Sequence, residues 1–202
     1  MKFIADIFKR FDYKPNFMTV ALYLGALLMY VFRDLFDPEY FRENKLMENL
    51  QLLILAVAAI LAWRSKNGHQ LFVFVALIAI FMMIRETNMM RKWTCILLYG
   101  PEYSCGWKNL GYYGVVLKFL RLVYMVYMVW YFVKNKIWQP MWQYAQKAPI
   151  FVWDFLLLAA AVFFATLAEK ECCASTIMEE CFELVMYMAF ANCIWRYRQV
   201  KI

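Results

Sequence analysis

The sequence predicts an all-α, polytopic membrane protein with six transmembrane helices. Three observations predict it. The chain of 202 residues is 65% apolar and 20% aromatic, its apolar residues fall into six long runs, and the connections between runs leave no room for a soluble domain. The runs cover roughly 17–33, 46–63, 70–85, 111–133, 150–168 and 176–195. Each approaches the length an α-helix needs to cross a hydrocarbon core of ~30 Å. Residues 1–202 are therefore expected to form a single transmembrane domain.

Ahead of the first run, residues 2–12 place Phe3, Ile4, Ile7, Phe8 and Phe11 at helical spacing, with Lys2, Lys9 and Arg10 elsewhere around the wheel. This pattern predicts an amphipathic helix lying on the inner leaflet. The first run ends in Arg33-Asp34 with no small-residue cleavage site, so it is expected to stay as a span. Trp63, Trp130 and Trp195 fall near the inner ends of spans two, four and six, where interface anchors belong. A second interfacial segment is expected at 137–147, where Trp138, Trp142 and Tyr144 accompany Lys136 and Lys147. The longest connection, 86–110, holds Trp93, Tyr99, Tyr103 and Trp107. It reads as an extracytoplasmic loop able to fold over the bundle as a lid.

Six spans put both termini on one side. Twelve of the 22 Lys and Arg fall on inner segments if that side is the cytoplasm, against eight in outer loops and two within span four. The positive-inside rule thus favours cytoplasmic termini, and small size with minimal loops suggests a bacterial inner membrane. Twelve of the 15 acidic residues fall in the outer half. The pI of 9.1 then describes a membrane-facing inner surface and not a nucleic-acid binder; membrane lipids are the expected partners. Cys95, Cys105, Cys172, Cys173 and Cys181 lie on or near the outer side. Oxidising conditions there would permit disulfides, with Cys95 and Cys105 as the first candidate pair.

Shifting span two by 132 residues lays it on span six: Glu48 meets Glu180, Gln51 meets Glu183, and Trp63-Arg64 meets Trp195-Arg196. The match extends to a repeat of 17–64 with 150–196, and more weakly with 70–134, where Lys118 and Arg121 take the same positions with reversed charge. Three parallel helical hairpins around an outer-side polar chamber are the expected arrangement.

Charges inside a bilayer are expensive unless paired or hydrated, so a layer of them marks an organised polar site. Arg121 and Glu183 each precede an inner basic residue by thirteen positions, ~20 Å of helix at the usual rise, which sets them below the outer boundary. Arg85 and Glu86 arrive at the same level from span three. The candidate ligand-binding set is Glu48, Arg85, Glu86, Lys118, Arg121, Glu180 and Glu183. Arg121, Lys118 and Arg85 suit an anion such as a lipid phosphate. Glu48, Glu180 and Glu183 suit a divalent cation of the oxygen-loving kind, or protons.

His69 is the single histidine and sits in an inner loop, which disfavours His-dependent chemistry at the outer layer. No Gly-rich phosphate loop, CxxC spacing or GxSxG elbow is present. Asp154, near the inner start of span five, suits a helix N-terminus. The favoured function is binding or transport of a charged small ligand or lipid headgroup at the outer layer. A membrane enzyme acting on a lipid or lipid-linked substrate through the same carboxylates, with or without a divalent metal, is the alternative. A third is a non-catalytic subunit whose charge layer is a salt-bridge network that holds its helices together or docks another membrane protein, with a second copy or a membrane protein as partner.

Overall fold

The computed structural model describes residues 9–32, 35, 46–86, 95–100, 110–169 and 176–200. The fold is all-α. Its helices are α1 (Phe17–Val31), α2 (Leu46–Trp63), α3 (His69–Glu86), α4 (Gly111–Lys134), α5 (Trp138–Lys147), α6 (Val152–Glu169) and α7 (Thr176–Tyr197), with a further helical turn at 95–99. These bounds follow the apolar runs closely, because each run ends at Gly, Pro or a cluster of charge that the helix cannot carry further into apolar packing.

Among the described residues α4 is the one helix long and apolar enough to cross a membrane; α1, α2, α3 and α6 contain shorter apolar stretches. Many large apolar side chains lie on the surface, while the core is itself largely apolar. Phe17, Leu53, Val115, Phe119, Phe163 and other large apolar residues are exposed, whereas Thr19, Gln51, Asp154 and Asn192 are buried.

α7 is the centre of the bundle and packs against α6, α2 and α1. Leu22 of α1, Leu157 and Ala161 of α6, and Val185 and Ala189 of α7 form one core cluster. Ala58 and Ala62 of α2, Phe72 and Ala76 of α3, and Ile194 of α7 form a second. The alanines at these contacts let helix backbones approach closely. α4 is peripheral and packs on α3. There Tyr124 Oη donates to the Leu77 carbonyl at 2.9 Å and Phe81 stacks on Tyr124.

Among the described residues α1 packs chiefly against α7 and less against α6, because its N-terminal polar residues are bound by the start of α6 and the end of α7. Phe11–Asp12, read from the sequence as the end of an amphipathic helix, is extended and pairs in parallel with Ile150–Phe151. Residues 2–8 lie outside the described residues, as do 87–94 and 101–109 of the expected lid. The 137–147 segment is helical as α5, entered through a tight turn in which Lys136 has φ of 49° and Asn135 Nδ2 donates to the Tyr131 carbonyl. Pro140 sits in its first turn, where no intrahelical N–H is required.

Candidate functional site

Two polar sites and one apolar groove are built on this frame. α2 and α7 run parallel, since Gln51 meets Glu180 near their starts and Ala62 meets Ile194 near their ends. The first site is at the starting end. Gln51, 1% exposed, donates from Nε2 to Glu180 Oε2 at 2.8 Å. A buried amide is stable only with such a partner, and a bond to a carboxylate is stronger than one to a neutral acceptor.

Of the other residues expected at this level, Glu183 is half-buried on α7, Lys118 is exposed on α4 and Arg121 is half-buried. The Arg121 guanidinium lies 5.5 Å from the Phe81 ring centroid of α3, a cation–π contact that offsets part of its desolvation. The side chains of Glu48, Arg85 and Glu86 lie outside the described residues. The structure thus brings Gln51 and Glu180 together and holds Arg121 on a different helix pair. Among the described residues no group of three His, Cys, Asp or Glu side chains forms a metal site.

Cys95 is disulfide-bonded, buried against Leu110 at the start of α4. Cys181 and Cys193 are free, so its partner lies outside the described residues, as Cys105, Cys172 and Cys173 do.

The second polar site is at the opposite end and was not assembled from the sequence. Asp154, 1% exposed, Thr19 and Asn192 are all buried. Asp154 Oδ1 accepts from Asn192 Nδ2 at 3.0 Å and from the Thr19 hydroxyl. Asp154 Oδ2 accepts from Arg196 Nη1 at 2.6 Å, and Arg196 Nη2 reaches Asp12 Oδ2 at 3.1 Å. Asn16 caps α1 by accepting from the Thr19 N–H at 2.6 Å and donates to Asn192 Oδ1 at 3.1 Å. The Arg196 guanidinium also stacks 3.5 Å from the Phe151 ring centroid. Every member has a partner, which is the condition for a buried polar network to be tolerated. The available signal was Asn192 and Arg196, four residues apart on one helix face.

Beside this network lies a groove of about 660 Å³ between α3, α5, α6 and α7. Leu71, Val75, Phe155, Leu158, Phe190 and Ile194 supply apolar wall, and Arg10 is the charged lining residue. The Tyr144 ring packs edge-on against Phe72. Its hydroxyl is buried with no hydrogen-bond partner among the described residues, and burial pushes its pKa up from 10, so it remains a donor at physiological pH.

No protein family, curated protein or solved structure matches this chain.

Proposed function

We propose that the chain is a six-span integral membrane protein that holds a charged small ligand or lipid headgroup in its outer half, by binding or transport. The membrane reading is supported by the number of large apolar side chains exposed on α1, α2, α4 and α6, a surface that a bilayer solvates better than water does. Cytoplasmic termini are supported by the distribution of Lys and Arg, and a bacterial inner membrane by small size and minimal loops. The disulfide at Cys95 supports the same orientation, because it puts the start of α4 on the oxidising side. A Cys95–Cys105 bond is the pairing we favour, since it closes the connection onto α4.

The observation that carries the site is the buried Gln51 amide bound to Glu180 at 2.8 Å. A bare carboxylate at that depth needs polar company, and a ligand-binding site needs a carboxylate oriented in advance. Glu183, one turn further along α7, and Arg121 on α4 extend the polar surface available to a ligand. Glu48, Arg85, Glu86 and Lys118 belong to the same proposed layer.

Native mass spectrometry of the detergent-purified protein beside Glu180→Gln and Arg121→Gln tests this. We expect wild type to carry a bound adduct, lost from folded Glu180→Gln if the ligand is cationic and from folded Arg121→Gln if it is anionic. Wild type without an adduct, with both variants unstable, would reduce the layer to helix packing.

A further inference from the structure

We infer that the groove between α3, α5, α6 and α7 holds an acyl chain of an anionic phospholipid, with the lipid phosphate at Arg10. The inference concerns the end of the bundle opposite Glu180, and it rests on the membrane reading proposed above. A volume of about 660 Å³ falls within the ~300–1,000 Å³ of typical ligand pockets, and its wall is almost wholly aliphatic and aromatic. Two lining residues, Met141 and Ala145 of α5, are exposed, so the groove is reachable from the side at which that interfacial helix lies.

The charge of its occupant follows from Arg10. Nε and Nη2 both donate to the Ala148 carbonyl, at 3.0 and 2.7 Å, which pins the guanidinium against a neutral acceptor. Nη1 has no hydrogen-bond partner and the side chain has no carboxylate partner among the described residues. A full positive charge therefore stands fixed at the groove. Exposed Lys147 is the chain neighbour of Ala148. Guanidinium nitrogens match phosphate oxygens in geometry, and basic residues at a membrane surface select anionic lipid. A soluble phosphate would use the Arg10 charge but leave the apolar wall wet. A phospholipid satisfies both.

The test is native mass spectrometry of delipidated full-length protein titrated with phosphatidylglycerol and with phosphatidylcholine. Wild type should retain one phosphatidylglycerol with about fivefold preference over phosphatidylcholine, the scale expected of one basic contact. Ala145→Trp, which sends an indole into the groove from an exposed position, should lose both lipids. Arg10→Gln should keep lipid and lose the preference, and Arg10→Lys should restore it if Arg10→Gln proves unstable. Equal retention by folded Ala145→Trp, or no preference in wild type, overturns the inference. An alkaline carbonate wash of membranes separates the two readings. Release of the protein would defeat the membrane reading as well, whereas a retained protein without lipid preference defeats the groove alone.

Discussion

Arg196 Nη1 lies 2.6 Å from Asp154 Oδ2, joining the end of α7 to the start of α6 across 42 positions of sequence. Asp154 is almost wholly buried and the arginine side chain is 14% exposed. A buried pair of this kind gains little over an apolar substitute, but breaking it strands a charge. Arg196→Met should therefore lower stability by about 3–5 kcal/mol, read as thermal unfolding in detergent. Arg196→Met combined with Asp154→Leu should recover part of that loss. Strict additivity of the two substitutions would show that the pair is not coupled.

Gly68 joins α2 to α3 with φ of +60°, and a Cβ there would sit 2.9 Å from Tyr144 Oη. Two effects oppose any side chain: the left-handed backbone, at roughly 1–2 kcal/mol, and the contact with Tyr144. Gly68→Ala should destabilise by more than the backbone effect alone. In a Tyr144→Ala background the added penalty should shrink to that effect. An equal penalty in both backgrounds would remove Tyr144 from the account.

The helices were legible because each apolar run is bounded by Gly, Pro or clustered charge, and the amphipathic 137–147 segment stood out by its alternation of Trp with Lys and Gln. Which helix lies at the centre was not legible. Asp154 and Arg196 each have a sufficient local reading, as a helix N-terminal carboxylate and an inner anchoring cation, so nothing within either segment points to the other. In the charged layer, the 132-residue register sets Gln51 level with Glu183, but the side chain that meets Gln51 is Glu180, one turn earlier on α7. The residues of α4 follow their own helix to the periphery, where Phe81 receives Arg121. Spacing reports depth along a helix but not which neighbour that helix chooses.

Topology supplies a separate prediction. With six spans and cytoplasmic termini, a cysteine introduced at Tyr112 should react with a membrane-impermeant maleimide on intact cells. One introduced at Lys66 or Lys136 should react after permeabilisation. The background should lack every cysteine outside the Cys95 disulfide, the free and buried Cys181 and Cys193 included. Labelling of Lys66→Cys on intact cells would invert the orientation and move the Gln51–Glu180 end to the cytoplasmic half.

The Gln51 amide offers the most direct probe of the other polar site. Gln51→Leu keeps much of the volume but leaves Glu180 without its 2.8 Å donor, an expected loss of about 1–3 kcal/mol. Gln51→Glu changes the sign of the interaction, setting a second carboxyl beside the first. Two carboxylates so close cannot both stay ionised, and the pair holds a proton that the unfolded chain releases. Gln51→Glu should therefore unfold at a lower temperature than wild type at neutral pH. If it proves as stable as wild type, a bound cation or a basic side chain neutralises the pair, and chelation tells the two apart. With a bound cation, chelation or replacement of that cation by excess magnesium should shift the unfolding temperature, and that result would assign the site to cations.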